Sequence, residues 1–384
     1  MIDTGPSQPR FDVAVIGAGI AGASVAAELA AAGRRVLLIE RESQPGYHTT
    51  GRSAALFTET YGPPAIRALS RASARFFDQP PAGFCANPLL SARGVLMVAR
   101  PDQMGALEAH FEAIGARSGV SLVGPAEARE RAPLLRAEYV GGGMVEPGAR
   151  DIDVHGLHQG YLKTFRAAGG ELLTNATVQR LQRTGSSWSI DLGRRTVRAD
   201  VVVNAAGAWA DEIAALAGAT PIGLVPKRRT AVIVAAPTGI DPSSWPMVVD
   251  IDEDFYMKPD AGRLLISPAD ETPSPPCDAQ PDEYDVAVCV DRIETAFDVS
   301  VRAIENKWAG LRSFVADKTP VACYDPTVPG FFWLAGQGGY GIQSAPALAR
   351  TAAALVDGGP LPPDIADEGV AEADLAVGRL EIAA

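Results

Sequence analysis

The chain has very little cysteine or histidine, which limits the thiol and metal chemistry it can carry. Its 384 residues include four of each, and the cysteines lie far apart with no C-x-x-C pair. Such spacing excludes a zinc knuckle or a redox dithiol and is typical of scattered reduced thiols. His155 and His158 lie three apart on a predicted helix, but the pattern offers no third ligand. We therefore expect no metal site, and a surface or buried histidine pair instead.

The sequence also lacks a basic excess and a long apolar run. It carries 34 basic and 46 acidic residues, for a formal net charge of −12. Nucleic acids and anionic membranes both require a basic face, so neither is an expected partner. No apolar run approaches the roughly 20 residues that a membrane span requires. Residues 1–10 lack the apolar core of a signal peptide and are expected to form a flexible leader, which predicts a cytoplasmic protein without an integral membrane segment.

Glycine, by contrast, is abundant, and its most informative cluster follows the first predicted strand. Phe11 to Ile16 is a short apolar run of the kind that forms a buried strand. Gly17, Gly19 and Gly22 then stand as G-x-G-x-x-G. The first allows a tight turn, the second lets the backbone approach a pyrophosphate, and the third lets a helix pack closely on the sheet. The spacing predicts a dinucleotide site at this turn.

A helix, a second strand and an acidic residue complete this pattern. Ala23 to Ala32 consists of helix formers, Gly33 is a plausible cap, and Val36 to Ile39 reads as a second buried strand. The helix N-terminus would face the phosphates, and Glu40 would accept hydrogen bonds from an adenosine ribose. NAD and FAD use the same geometry, so this stretch alone does not choose between them, and a βαβ unit with an empty glycine turn is the alternative.

Later segments favour FAD. The long polar loop after Glu40 would run beside the ligand, although a plain surface loop is the alternative. Two further buried strands, at 200–204 and 331–335, also end in small residues, around Gly207 and Gly338. A flavin must be wrapped along its length by several segments, which such convergence would provide.

The order of elements predicts an α/β fold with two sheets. We expect a FAD-binding, Rossmann-like, doubly wound parallel sheet and a second α+β substrate domain built on an antiparallel sheet. Short alternating runs between Glu171 and Arg198 predict a small antiparallel sheet. Three strands between Met247 and Ser267, with a turn at Asp260-Ala261-Gly262, predict an antiparallel arrangement in the second domain.

Several motifs resemble those of a known family. FDVAVIGAGIAGAS with Glu40-Arg41, GRSAA, VVNAAGAWADE and AGQGGYGIQ resemble the D-amino-acid oxidase superfamily of flavoproteins, which includes glycine and sarcosine oxidases. The bacterial FAD-dependent D-arginine dehydrogenases resemble the chain most in PGYHTTGRSAA, PPAGFC, DIDVHGLHQGYL, PKRR, FYMKPDAG, WAGLRSFVAD and FFWLAGQGGYGIQ. These motifs run in order from Phe11 to about Ala354.

The resemblance implies a discontinuous architecture and a set of cofactor contacts. Residues 11–85, 145–218 and 319–384 would form the FAD-binding domain, and residues 86–144 and 219–318 the substrate-binding domain. No cysteine lies in the last glycine cluster, so we expect FAD to be bound non-covalently. The implied cofactor-binding residues are Gly17, Gly19, Ile20, Ala21, Gly22, Glu40, Arg41, Thr49, Thr50, Gly51, Arg52, Ser53, Ala54, Val178, Gly207, Trp209, Gly338, Gly339, Tyr340, Gly341, Ile342 and Gln343.

The resemblance also implies the chemistry. A substrate amine would give hydride from its Cα to the flavin N5, and the resulting imine would hydrolyse to a 2-oxo acid and ammonia. Arg312 offers a bidentate fork for the substrate carboxylate, and Tyr256 could add a hydrogen bond. Arg228 and Arg229 point to opposite faces of a strand, and the motif places Arg229 in the pocket. The remaining implied active-site residues are Tyr61, Gln343 and Gly339.

Two positions depart from the D-arginine dehydrogenase pattern. Val95 stands where a carboxylate that holds a guanidinium is expected, and Leu56 stands where a histidine is expected. Without the buried acid, nothing offsets the desolvation of a cationic side chain. The chain is therefore predicted to oxidise a D-amino acid with a neutral or apolar side chain, which packs on Val95 and Leu56.

Other functions stay open at this stage. A glycine or sarcosine oxidase would use the same core chemistry. A flavoprotein acting on a 2-hydroxy acid would also need an arginine, but it needs a base for the hydroxyl as well, and no histidine obviously supplies one. A non-catalytic flavin-binding subunit is the third alternative. The electron acceptor, oxygen or a quinone, is not determined by the sequence.

Overall fold

The structure is a computed structural model that describes residues 9–115 and 119–380. Most of the predicted leader, residues 1–8, lies outside the described residues, and Arg10 already belongs to the first strand. The strands are β1 (Arg10–Ile16), β2 (Val36–Ile39), β3 (Leu56–Phe57), β4 (Leu90–Ala92), β5 (Val95–Ala99), β6 (Ser121–Val123), β7 (Gly142–Glu146), β8 (Arg150–Ile152), β9 (Glu171–Leu173), β10 (Arg180–Thr184), β11 (Ser187–Asp191), β12 (Thr196–Asn204), β13 (Val225–Ala235), β14 (Met247–Asp250), β15 (Tyr256–Asp260), β16 (Arg263–Ser267), β17 (Thr272–Pro273), β18 (Ile304–Phe314), β19 (Val321–Tyr324) and β20 (Phe331–Ala335). The helices are α1 (Ile20–Ala31), α2 (Pro64–Asp78), α3 (Met104–Ile114), α4 (Pro125–Arg131), α5 (Val154–Ala167), α6 (Ala210–Ala217), α7 (Glu283–Ala296), α8 (Ala345–Val356), α9 (Pro363–Ala366) and α10 (Glu372–Leu375).

The first sheet has a parallel core in the order β9-β2-β1-β12-β20. On one face, side chains such as Val15 and Leu38 pack with α1, α5 and α8; on the other, Ala14 and Leu37 pack with α6. The strands are therefore buried on both faces, which explains why their sequences are continuously apolar. The predicted α/β class with a doubly wound parallel sheet is confirmed.

The prediction of a separate small antiparallel sheet between Glu171 and Arg198 is wrong. β9 pairs in parallel with β2 at one edge of the first sheet, while β10 and β11 extend the other side. β12 is one strand of nine residues whose first half pairs antiparallel with β11 and whose second half pairs in parallel with β20. A single long strand thus joins two runs that look separate in the sequence.

The second sheet has the order β17-β13-β16-β15-β14-β5-β7-β6, and β18 pairs with β13 along most of its length. Its pairs are antiparallel as predicted, except that β14 and β5 run parallel. The predicted hairpin joins β15 to β16, and both Ala261 (φ +49°) and Gly262 (φ +79°) are left-handed, as a type I′ turn requires. One face packs against α4 and α7. On the other face, residues of β5 and β7 pack against α3, and Ile233, Tyr256 and Leu265 cluster with Ala54.

A third, small sheet, β3-β8-β4, lies where the chain passes between the two large sheets. The strands of the first large sheet come from the segments expected for FAD binding, and those of the second come from the segments expected for the substrate, with β7 crossing the boundary at residue 145. The domain boundaries themselves stay a prediction. Over the described part of the chain, no helix combines the length and apolar character needed to cross a bilayer.

Candidate functional site

The glycine turn after β1 is shaped by contacts that leave no room for side chains. Gly17 has a φ of +97°, and a Cβ there would lie 2.4 Å from the Ala205 carbonyl oxygen. A Cβ on Gly22 would lie 1.8 Å from the Gly17 carbonyl oxygen. Gly19 is different, because its Cβ would meet only the Thr50 hydroxyl, at 3.2 Å. The first and third glycines thus allow neighbouring backbone segments to pack closely. The N-terminus of α1 is then free to approach a ligand.

Side chains hold this turn from outside. Glu40 is buried, and its carboxylate accepts hydrogen bonds from the amides of Ala18 and Glu42, both at 2.9 Å. Thr50 accepts a hydrogen bond from the Ile20 amide at 2.9 Å. Glu40 therefore shapes the turn in addition to its predicted contact with a ribose.

The two histidines of α5 differ in burial and in hydrogen bonding. His155 is exposed, whereas His158 is buried and donates a hydrogen bond from Nε2 to the Ala18 carbonyl at 2.9 Å. Burial lowers the pKa of His158, which keeps the ring neutral in this position. Among the described residues, no group of three or more His, Cys, Asp or Glu side chains could hold a metal ion.

A cavity of about 390 Å³ opens at the carboxyl ends of the parallel strands, beside this turn. It extends from Glu40 and Arg41 to Arg312 and Gly339, so it is lined by residues far apart in the sequence. Most of the predicted cofactor residues line it: Gly17, Gly19, Ile20, Ala21, Glu40, Arg41, Thr49, Thr50, Ser53, Val178, Gly207, Trp209, Gly338, Gly339, Gly341 and Ile342.

Six predicted cofactor residues do not line this cavity. Gly22 acts through packing, and a Cβ on Gly51 would lie 2.6 Å from the Gly46 carbonyl oxygen, which indicates the same kind of role. Arg52 turns away and donates to the carbonyls of Ala279 and Ala309 at 2.9 and 3.0 Å. The remaining three are Ala54, Tyr340 and Gln343.

Other lining residues were not predicted as cofactor contacts. Ala205 and Ala206 precede Gly207, and their small size at a strand end was the available signal. Further lining residues stand in or beside the quoted motifs but were not singled out: Ile16, Ile39, Gly46, Tyr47, His48, Ala208, Glu212, Leu311, Ser313 and Gln337. Four more, Ala176, Thr177, Ile213 and Leu216, lie outside those motifs and approach the cavity through the tertiary fold. The wall is therefore broader than the motifs indicate.

At the Glu40 end, aromatic and basic side chains cover the cavity. The Arg41 guanidinium lies 4.0 Å from the centroid of the Trp209 ring, and the His48 ring lies 4.7 Å from the same ring. Arg41 and His48 both donate to the Glu42 carboxylate at 2.9 Å. This cluster provides flat surfaces beside the predicted ribose site, as an adenine ring would require.

At the opposite end, Arg312 meets two of the predicted active-site residues, Tyr61 and Gly339. Its Nη1 donates to the Tyr61 hydroxyl at 3.3 Å, and a Cβ on Gly339 would lie 2.9 Å from the same nitrogen. Among the described residues, the guanidinium donates this one hydrogen bond, which leaves its other N–H groups for a ligand. Burial by itself would lower the pKa of Arg312, but nearby Tyr61, Tyr256 and Glu253 raise it.

The second sheet brings four predicted substrate residues to one face. Arg312, Arg229, Tyr256 and Val95 lie on different strands, and side chains of register partners point to the same side of a sheet. Arg229 lies four residues before Ile233, so the two share a face. The register partners that place all four side chains on one face are Lys227–Arg312, Ile233–Leu265, Lys258–Leu265, Val249–Tyr256 and Met247–Val95.

Arg228 and Arg229 point to opposite faces, as predicted. Arg228 pairs with Asp285 of α7 at 2.6 Å. Arg229 is buried on the other face, where it donates to the Asp270 carbonyl at 2.9 Å and contacts the Glu271 carboxylate at 3.4 Å. Burial, followed by the charge of Arg312, lowers the pKa of Arg229. An anion placed between the two guanidinium groups would relieve this repulsion.

Val95 and Leu56 lie close to two acids that already have partners, the buried Glu146 and the partly exposed Asp151. Glu146 is the register partner of Val95, and Asp151 is that of Leu56. Glu146 receives three hydrogen bonds from the segment 58–60, and Asp151 pairs with Arg93 and with Lys258, both at 2.7 Å. Sequence reasoning missed these acids, since only the strand pairing brings them here.

The cavity fits the flavin dinucleotide that the motifs predict. A cofactor that reaches from Glu40 to Arg312 would pass the N-terminus of α1, which favours phosphates. The glycine turn leaves backbone exposed for close approach. Gln337, in the wall, has a buried Nε2 without a hydrogen-bond partner, and a bound ligand would satisfy it.

Comparisons with known proteins agree with this geometry. A family model described as DAO, FAD dependent oxidoreductase, matches residues 12–355. FAD-dependent oxidoreductase domain-containing protein 1 of Bos taurus is 25% identical over 93% of this chain and 83% of its own length. Glycine oxidase of Geobacillus kaustophilus is 25% identical over 91% of this chain and 93% of its own.

Solved structures share the fold. The crystal structure of glycine oxidase from Geobacillus kaustophilus superposes with a TM-score of 0.79 at 24% identity, covering 91% of this chain and 95% of that one. L-alpha-glycerophosphate oxidase from Mycoplasma pneumoniae, with FAD bound, superposes with a TM-score of 0.80 at 18% identity, covering 91% and 95%. The fold thus occurs in proteins named for different substrates, so the substrate must be argued from the site.

Proposed function

The chain belongs to the DAO family of FAD-dependent oxidoreductases, and on this premise we propose that it oxidatively deaminates a D-amino acid with a neutral or apolar side chain. FAD is the cofactor, and when bound it accepts the hydride that leaves the substrate Cα. The product is an imino acid, which water converts to a 2-oxo acid and ammonia. The relative named glycine oxidase supports an amine as the substrate. The finer likeness to D-arginine dehydrogenases rests on the motifs and stays a prediction.

The observation that carries the proposal is the position of Arg312. Its guanidinium lies at the end of the cofactor cavity, beside Gly339 and the Tyr61 hydroxyl, with N–H groups left for a ligand. A planar guanidinium binds a carboxylate with two parallel hydrogen bonds. Held this way, an amino acid would be oriented by its carboxylate, and Arg229 and Tyr256 on the same sheet face would surround it.

The side-chain preference is supported by the surroundings of Val95. Met247 and Val249 share its sheet face and are partly exposed, so they offer an apolar wall, while Met97 on the same face packs against α3. The nearest register acids, Glu146 and Asp151, are occupied by other donors. A cationic side chain placed here would lose its hydration without gaining a free carboxylate.

Changing Val95 should change the preference. We expect Val95→Glu to raise kcat/KM for D-arginine relative to D-leucine by about tenfold or more, because a free acid would then pair the cation. Val95→Gln is the matched control, since it adds the same volume without the charge. Steady-state kinetics on both substrates measure the ratio. An unchanged ratio in the glutamate variant would show that position 95 does not contact the side chain.

A cationic D-amino acid is the second candidate, favoured by Glu253. This residue lies in the loop between β14 and β15, is partly exposed, and has a left-handed φ of 58°. Burial raises the pKa of Tyr61 and of Tyr340, and the negative charge of Glu253 raises both further. The charge of Glu253 therefore acts on the site. Wild-type preference for D-arginine over D-leucine, lost in Glu253→Gln, would establish this candidate in place of the first.

We expect FAD to be held without a covalent bond. Cys323, the cysteine nearest to the last glycine cluster, lies on β19, where its Sγ accepts a hydrogen bond from the Val377 amide at 3.2 Å. His48 lines the cavity, but at the Glu40 end, where its ring packs at a tilt against Trp209. Cold acid should therefore precipitate a colourless protein and leave the yellow chromophore in solution. A yellow pellet under a colourless supernatant would show a covalent bond instead.

A further inference from the structure

Glu146, at the end of β7, is a buried carboxylate on which three donors converge. Its Oε2 accepts hydrogen bonds from the hydroxyls of Thr58 and Thr60, both at 2.6 Å. Its Oε1 accepts one from the Glu59 amide at 2.9 Å. The side chain of Glu146 is 3% exposed, and both threonines are buried as well. Charge-assisted hydrogen bonds of this kind are stronger than neutral ones, so this is a firm attachment.

The attached segment leads directly into the active site. Tyr61 follows Thr60 and accepts the hydrogen bond from Arg312. The Thr58 amide donates to Oε1 of Gln343 at 3.2 Å, while Nε2 of Gln343 is buried without a partner. The three residues that Glu146 holds thus lie between two predicted active-site residues.

Glu146 belongs to the second sheet, and the segment it holds belongs to neither large sheet. The register places Glu146 opposite Val95, on the face that carries Arg312, Arg229 and Tyr256. The contact spans 86 to 88 residues of sequence. It therefore connects the substrate-facing side of the second sheet to the segment that brings Tyr61 over Arg312.

We propose that Glu146 is a positioning residue that holds segment 58–61 so that Tyr61 and Arg312 meet the substrate carboxylate together. Its effect on turnover rests on the proposed function, whereas its hold on the segment does not. Acting through Tyr61, Glu146 contributes to substrate binding, which is present in ground and transition states alike. Its loss should consequently appear in KM and leave kcat nearly unchanged.

The first experiment measures the attachment itself. Hydrogen–deuterium exchange of the FAD-loaded protein should show amides of peptides spanning 56–63 exchanging about tenfold faster or more in Glu146→Gln than in wild type. Asp250 is the control: it is fully buried and accepts hydrogen bonds from Tyr139, Gln103 and the Asp252 amide, but it lies on the opposite sheet face. Asp250→Asn should leave these peptides unchanged. Equal exchange in Glu146→Gln and wild type would overturn the proposal, whatever the protein oxidises.

The second experiment separates positioning from general stability. We expect Glu146→Gln and the double variant Thr58→Val/Thr60→Val to raise KM for the best D-amino acid about tenfold, with kcat within about threefold. Thr58→Ser/Thr60→Ser keeps both hydroxyls and should behave as wild type. In a Tyr61→Phe background, Glu146→Gln should add less than about a twofold further change, because the two residues act as one unit.

The outcomes distinguish the two proposals. Additive effects of Glu146→Gln and Tyr61→Phe, or a fall in kcat with unchanged KM, would contradict a positioning role through Tyr61. A wild-type protein that oxidises no amino acid would contradict the proposed function, and the exchange experiment would still decide whether Glu146 holds the segment.

Discussion

We expect Arg312→Met to lower kcat/KM for the preferred D-amino acid by roughly 100- to several-thousand-fold. Breaking a buried charge pair by removing one partner costs about 3 to 5 kcal/mol, and each 1.4 kcal/mol is about tenfold. The substrate carboxylate would enter the end of the cavity beside Tyr61 and Gly339 with no fork to receive it. Arg229 would remain nearby, but its guanidinium already contacts Asp270 and Glu271.

The lysine variant separates charge from geometry. Arg312→Lys keeps the positive charge but loses the planar fork, so its kcat/KM should fall between wild type and the methionine variant. Arg228→Lys is the same chemical change on the neighbouring strand, on the face that packs against α7, and should stay within about twofold of wild type. Flavin content must be equal in all variants. A fall of less than about threefold in Arg312→Met would mean that another residue holds the carboxylate.

Gly22→Ala should abolish flavin binding, and with it much of the folded protein. The added Cβ would lie 1.8 Å from the Gly17 carbonyl oxygen, a backbone atom that cannot rotate away. To relieve this clash, α1 must move off the sheet, which opens the core around it and displaces the helix N-terminus from the cavity. Purified protein should contain little FAD, and its melting temperature should fall.

Gly105→Ala is the matched control for this prediction. Gly105 lies in α3, where an added Cβ meets nothing within 4 Å. Replacing a helical glycine by alanine stabilises by about 0.5 to 1 kcal/mol, so this variant should keep its FAD and melt no lower than wild type. The ratio of flavin to protein absorbance and a thermal melt check both variants. A Gly22→Ala protein with a full complement of FAD would contradict the role given to the third glycine.

The sequence predicts the dinucleotide site well because its physics is local. Gly17, Gly22 and Glu40 fall within one strand-turn-helix-strand unit; Gly22 and Glu40 act on neighbours in the same unit, and Gly17 packs against Ala205 at the end of the adjacent strand β12. The strand bounds follow from continuous apolar runs. Arg312, some 270 residues further along, could be placed at this site only through the family resemblance, and the register with Lys227 explains how it arrives there.

Other features could not be predicted, because they depend on pairing between distant strands. Two short runs in the 196–204 region are one strand, since β12 finds partners at both ends. The threonines at 58 and 60 have no signal of function by themselves; their role appears only when β7 brings Glu146 against them. Arg52 is the reverse case: it belongs to a cofactor-like motif, but its guanidinium donates to the carbonyls of Ala279 and Ala309.

Anaerobic mixing of the FAD-loaded wild-type protein with single substrates tests the central claim most directly. We predict that D-leucine, D-methionine or D-phenylalanine bleaches the visible flavin band faster than D-arginine, and that air restores the band if oxygen is the acceptor. Bleaching by glycine or sarcosine alone, or by 2-hydroxy acids alone, would assign a different substrate class. No bleaching by any D-amino acid would contradict the proposed function and favour a non-catalytic flavoprotein.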